Sequence, residues 1–235
     1  MFARSTGSIT KPEGAAGNQQ VKGKVLSNME YKYPLSNEWE AARERLFELE
    51  AVADPFTLRN LERIGIRKGW HCLEVAGGGG SIARWLCRQV GASGHVVATD
   101  LEPRFLEAIN EPNLEVWRRD IVRDALPEGR FDLIHARAVL VFLPQPEKAI
   151  AKMVVALKPG GWLLVEEPDF ISAAPDPSMS PASLALSRKG WDAVVKYLQS
   201  QGHDRELGRR LYHEVANLGG IRNGDFACAK RLCFA

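Results

Sequence analysis

Three acids each close a short apolar run: Glu74 in "WHCLEVA", Asp100 in "HVVATDLEP" and Asp120 in "VWRRDIV". An ionised carboxylate only accepts hydrogen bonds. At a strand end it therefore suits a ligand rich in hydroxyls, amines or positive charge. Asp100 can accept from both hydroxyls of a ribose, as acids in that position do in nucleotide-binding sheets. Its alternative is a cap for a helix opening near Glu102-Pro103. Asp120 can accept from an exocyclic amine such as that of adenine, with Ile121 covering a ring face, or it can serve a turn. Between the first two acids lies "AGGGGS", Ala76 to Ser81. Glycines cost conformational entropy on folding, so a run of them implies a sharp turn and a ligand lying close to main-chain atoms.

Phosphate-binding loops fit this pattern poorly. The dinucleotide fingerprint fits only as Gly78-x-Gly80-x-x-Ala83, and Glu74 would repel a pyrophosphate while favouring a cation. No Gly-Lys-Ser/Thr follows the glycines, which excludes a Walker loop. His135 in "LIHAR" is the candidate general base, and a packed strand histidine is its alternative. Arg137 reads either as a partner for a substrate carboxylate or as half of a surface ion pair. Val141-Phe142 places an apolar pair in the loop that follows. Glu166, Glu167 and Asp169 follow a later strand and either face a substrate or are solvated. Trp39, Phe170, Trp191 and Tyr197 form an aromatic lid or pack in the core.

Positioning such groups on one edge requires a sheet. "WHCLEV", "HVVATD", "LEVWRRD", "FDLIHAR" and "WLLVEE" read as strands. The helices between them are "SIARWLCRQVG", "PRFLEAIN" and "QPEKAIAKMVVALKPGG", the last stopped by Pro159 and its glycines. Strands alternating with helices imply βαβ units with right-handed crossovers. The expected fold is α/β, a Rossmann-like, doubly wound, mostly parallel sheet in a three-layer α/β/α arrangement. Upstream, "SNEWEAARERLFELEAVA" reads as a helix capped by Ser36 or Asn37, and "DPFTLRNLERIGI" as a second one opening at Asp54-Pro55. Downstream, "ASLALSRKGWDAVVKYLQSQG" and "RELGRRLYHEVANLG" read as helices, and the last residues supply at most one poor strand. Residues 1–34 read as a disordered polar leader and 35–235 as a single domain. Within it, N-terminal helices occupy 35–69, the ligand-binding core 70–170, and a helical substrate or lid region with a tail 171–235.

Composition bounds the rest. The chain has 235 residues, 45% of them hydrophobic, enough for one domain with a real core. A net charge of +2 argues against an electrostatic nucleic-acid binder. No apolar run reaches the ~18 residues of a membrane-spanning helix. Cys72, Cys87, Cys228 and Cys233 lack metal-site spacing and read as free thiols, so no metal is expected and the cytoplasm is the default compartment. A transit peptide is the alternative reading of the basic leader.

Taken together, these residues resemble the class I methyltransferases that use S-adenosylmethionine, over about residues 35 to 219. The family's acid-and-glycine motif falls on Glu74, Ala76, Gly78 and Gly80. Asp100 matches its ribose acid, and Asp120-Ile121 its adenine-binding pair. "FDLIHARAVLVFLPQPEKAIAKMVVALKPGGWLLVEE" is similar nearly throughout. The closest likeness is to a group of small-molecule methyltransferases with "SNEW" before the domain and "LVEEPD" at the fifth strand.

The resemblance implies S-adenosylmethionine as cofactor and methyl transfer to oxygen or nitrogen of a small, partly apolar metabolite. It implies cofactor contacts at Glu74, Ala76, Gly77, Gly78, Gly80, Asp100 with Leu101, Asp120, Ile121 and Ala136. Trp39, Arg137, Phe142 and Asp169 are the candidate substrate residues. Two departures stand out. Ala76 replaces the first motif glycine, and the closing antiparallel hairpin has no clear counterpart after Gly220, so the tail is shortened or forms that edge differently. The alternatives are a non-catalytic cofactor-binding relative and a nicotinamide oxidoreductase.

Overall fold

A computed structural model of the chain describes residues 2–5, 35–172, 176–216 and 221–222. Its centre is five parallel strands: β2 (His71–Val75), β3 (His95–Asp100), β4 (Leu114–Arg118), β5 (Phe131–Arg137) and β6 (Leu157–Glu166). They run in the order β4-β3-β2-β5-β6. The order reverses between β2 and β5, which opens a crevice beyond their carboxyl ends, where open α/β sheets bind ligands. The α-helices among the described residues are α1 (Ala42–Ile64), α2 (Ser81–Val90), α3 (Arg104–Glu107), α4 (Pro146–Ala156), α5 (Pro181–Ser200) and α6 (Leu207–Ala216).

Strand alternation divides the core. Leu73, Val75, Ile134, Ala136, Leu163 and Val165 point to one face and pack with Ile150, Met153, Leu211 and Val215 of α4 and α6. Cys72, Leu133 and Leu164 point to the other and pack with Leu61, Ile64, Ile82 and Leu86 of α1 and α2. Toward the carboxyl ends this second face changes character. The residues next in phase are Glu74 on β2, His135 and Arg137 on β5, and Glu166 on β6. Helix α1 changes with it: below are Leu61 and Ile64, above are Glu50, Asp54, Thr57 and Asn60.

Several expectations need correction. The two N-terminal helices are one, Ala42–Ile64, with Pro55 inside it. An interior proline removes a donor and costs about 3 kcal/mol, but polar side chains on both sides of it bond to the sheet and the glycine loop and hold the helix across it. Ser36 and Asn37 do not cap α1, which begins after Ala41; Ser36 Oγ and the Asn37 amide instead donate to the Glu102 carboxylate. The helix over "PRFLEAIN" is a single turn, Arg104–Glu107. The α4 helix ends at Ala156, and "LKPGG" opens β6 rather than closing the helix. Within the presumed disordered leader, Phe2–Ser5 forms a strand, β1, antiparallel to β6. A two-residue β7 (Ile221–Arg222) pairs with β1, so the edge lacking its hairpin is closed by pieces from both ends of the sequence. The rest of the leader, and Cys228 and Cys233, lie outside the described residues.

Helix α6 approaches the turn after β6 closely. A Cβ at Gly208 would stand 2.6 Å from the Pro168 carbonyl oxygen and 2.9 Å from the Asp169 nitrogen. Gly208→Ala must push α6 off this main chain, and overpacking of this kind costs about 1–3 kcal/mol. Urea denaturation should show that loss with an unchanged slope.

Candidate functional site

A cavity of about 470 Å³ opens over the carboxyl ends of the strands, a size typical of small-molecule sites. Its floor is the loop after β2, and the loop's amides are largely spent on the protein itself. Ala76 N donates to Thr99 Oγ1 (3.4 Å), Gly77 N to the Thr99 carbonyl (2.9 Å) and Gly78 N to Asp100 Oδ2 (3.0 Å). Gly80 N donates to the Gly77 carbonyl (2.9 Å), and Ser81 N to Glu50 Oε1 (3.2 Å). Phosphate loops offer such amides to an anion; this one has turned them inward onto carboxylates and carbonyls. The bare faces are also partly filled from within. A Cβ at Gly79 would collide with Glu50, and one at Gly80 with Ile109. Ala76 holds φ 53°, in the left-handed region where a side chain costs about 1 kcal/mol, and Ala138 after β5 does the same at φ 52°.

Asp100 faces the cavity at the end of β3. Its Oδ1 accepts from Glu102 N (3.0 Å) and Asn37 Nδ2 (3.4 Å) while Oδ2 holds Gly78. Burial raises its carboxyl above the usual range against those bonds. Asp120 lines the cavity with Ile121 and also serves a turn, Oδ1 accepting from Val122 N and Arg123 N. Leu101, Gly77, Gly78, Arg137 and Phe142 line it as well. Gly80 and Ala136 do not; Gly80 packs on Ile109, and Ala136 points into the opposite core. Trp39 lies half exposed outside, and Asp169 is engaged with Arg209 (3.0 Å). Of the aromatic group, Phe170 lines the cavity and stacks on Trp191, ring centroids 5.6 Å apart, whereas Tyr197 is exposed.

His135 is not an available base. It is fully buried, Nδ1 lies 2.6 Å from Glu74 Oε2, and Nε2 lies 3.1 Å from Glu166 Oε2. Burial opposes its charge, but the two carboxylates outweigh burial and raise its pKa to about 9. It is therefore an imidazolium at neutral pH, donating from both nitrogens. Glu166, pushed up by burial, is brought down to about 2 by His135 and by hydrogen bonds from Thr57 Oγ1 (2.6 Å) and Asn60 Nδ2 (2.8 Å). Arg137 pairs with Asp54 (2.9 Å) and donates to Thr57 Oγ1 (2.9 Å). Glu166 and Glu167 are not a solvated run. Glu167 is buried and accepts from the amides of Val139, Leu140 and Val141, fixing the turn that carries Phe142; burial raises its pKa to about 7.

The contributors not foreseen from the sequence are Glu50, Asp54, Thr57 and Asn60. Their spacing is a polar stripe on one helical face, a signal hidden when the helix is broken at Asp54. Among the described residues, no cluster of His, Cys, Asp and Glu could hold a metal, and no helix is long and apolar enough to cross a membrane.

Comparison with known proteins places the site in context. Residues 73–165 match a family model described as a methyltransferase domain. A ubiquinone/menaquinone biosynthesis C-methyltransferase of Francisella tularensis subsp. novicida is 34% identical over 117 residues, 46% of this chain and 47% of that protein. A methyltransferase of Strobilurus tenacellus is 27% identical over 59% of this chain and 48% of its own. The chain thus spans about half the length of the curated relatives it matches. Among solved structures, a phosphoethanolamine N-methyltransferase of Haemonchus contortus in complex with S-adenosyl-L-methionine superposes over 78% of this chain and 43% of that one. Its TM-score is 0.56 at 15% identity, a likeness of fold.

His135 sets a pH window for stability. Its folded pKa lies above the unfolded value of 6.5, so its contribution is complete below pH 6.5 and is lost as pH rises through about 9. Urea midpoints should fall between pH 6.5 and 9 in the wild type. His135→Gln should start lower and show a smaller fall over that interval.

Proposed function

We propose that this chain, whose residues 73–165 match a methyltransferase domain, is a class I S-adenosylmethionine-dependent methyltransferase that transfers a methyl group to a small, partly apolar metabolite, at oxygen or nitrogen. One observation carries the reading. Acids stand at the ends of adjacent strands around a loop whose amides are already committed, so the crevice accepts hydrogen bonds and positive charge and offers little to a pyrophosphate. That pattern fits the donor and disfavours a nicotinamide dinucleotide.

When bound, S-adenosylmethionine supplies a methyl group on a positively charged sulfur, already activated for displacement. The residues then have mainly to bind, align and exclude water. Asp100 would accept from the ribose hydroxyls, and Asp120 from the adenine amine with Ile121 at the ring. Glu74 offers negative charge to the cationic methionine end. Leu46, Leu49 and Phe56 of α1, with Phe142 and Phe170, give the cavity its apolar side. This wall supports an acceptor with hydrocarbon character. With His135 enclosed, the acceptor must present a nucleophile of its own, such as an amine or an acidic hydroxyl. The match to a C-methyltransferase favours a second reading, methylation at an activated carbon. The buried free thiols of Cys72 and Cys87 support a cytoplasmic setting.

The test is binding followed by turnover. S-adenosylhomocysteine should raise the melting temperature and NAD should not; the reverse overturns the reading. Calorimetry should find that Asp100→Ala weakens S-adenosylhomocysteine binding at least tenfold while circular dichroism shows a folded protein. Mass spectrometry after incubation with S-adenosylmethionine and a panel of phenols, amines and quinols should show a gain of one methyl. Binding without transfer to any acceptor would favour the non-catalytic relative.

A further inference from the structure

Within that reading, we infer that His135 is a positioning residue for the donor: its ring, clamped between Glu74 and Glu166, aims the Glu74 carboxylate at the cavity and ties it to helix α1.

The geometry carries this in three steps. First, Glu74 and His135 are register partners on neighbouring parallel strands, so their side chains emerge side by side on one face. The pairing uses Glu74 Oε2; among the described residues Oε1 has no hydrogen-bond partner, and Glu74 lines the cavity. One oxygen is held from behind and the other is left for a ligand. Second, His135 itself does not line the cavity and is fully buried, so it reaches a ligand only through Glu74. Third, the far nitrogen engages Glu166, whose carboxylate is held by Thr57 and Asn60 of α1. The chain of contacts α1–Glu166–His135–Glu74 crosses the sheet from β6 to β2 and ends at the cavity. The same helix bonds to the glycine loop through Glu50 and Asp54, both to Ser81. Helix α1, the loop and the acid that faces the donor are thus one polar assembly.

Charge gives the arrangement its purpose. Two carboxylates on one imidazolium carry a net single negative charge, which favours a cation at the cavity face. Without the ring, Glu74 Oε2 loses the partner that holds it. Glu74 would then lose its direction.

A double-mutant cycle on the full chain tests this, reading the affinity for S-adenosylhomocysteine by calorimetry and kcat at saturating donor. His135→Gln should weaken binding at least tenfold in the wild-type background and less than twofold when Glu74 is already Gln, because His135 acts through Glu74 alone. Once an acceptor is known, kcat at saturation should change less than threefold. Equal losses in both backgrounds, or unchanged affinity in a folded His135→Gln protein, would overturn the inference. Should that variant not fold, nitrogen NMR of the wild type decides. Both His135 ring nitrogens should be protonated at pH 7.5, and the Nδ1 proton should shift on titration with S-adenosylhomocysteine; a neutral ring or a silent resonance overturns the inference. A wild type that binds no S-adenosylhomocysteine would instead remove the donor reading, and this inference with it.

Discussion

The structure depends on how it buries charge in the middle of a sheet. An isolated ion in such a place is prohibitive, and even a pair recovers its desolvation only when geometry is good and remaining valences are filled. Here a cation sits between two anions, and one of those anions takes two further hydrogen bonds from α1. Losing one member of such a group leaves the others uncompensated, at a cost of about 3–5 kcal/mol. The ionic row is weak evidence of net stability. In the observed register of β5 against β2 and β6, it satisfies both ring nitrogens of His135.

From this row the site follows. The lower half of the same face is apolar and fixes where α1 and α2 lie. The upper half is ionic and fixes how α1 is rotated, with polar groups inward over the crevice. Rotation in turn brings Glu50 to the Ser81 amide and Leu46 over Gly78. The glycines therefore serve two masters. They permit the left-handed turns at Gly78 and Gly80, and they let α1 and Ile109 come close enough to brace the loop.

The sheet was legible because each strand is a short apolar run between turn residues, and because the helices between keep their periodicity. "FDLIHAR" and "HVVATD" match the observed strands residue for residue. The acids at strand ends were legible for the same reason. What escaped reading depends on partners distant in sequence. The alternation Leu133, His135, Arg137 is present in the sequence, but its phase is settled only by Glu74, 61 positions earlier, and Glu166, 31 later. Pro55 looked like a helix start because local propensity favours it there; bonds to β6 and the glycine loop override that preference. Phe2–Ser5 carries no strand signal strong enough to stand alone, and only the open edge of β6 makes it one.

That last strand has a consequence for the order of assembly. Phe2 pairs with Leu164, so this segment must wait until the chain has been synthesised through Leu164 before it finds its place. During translation the parallel strands can dock while this segment is idle. Closing so long a loop adds little to the entropy already lost per doubling of length, yet it makes the event late. Until then β6 is a bare edge able to pair with a neighbouring nascent chain, so this late strand also shields that edge from other copies.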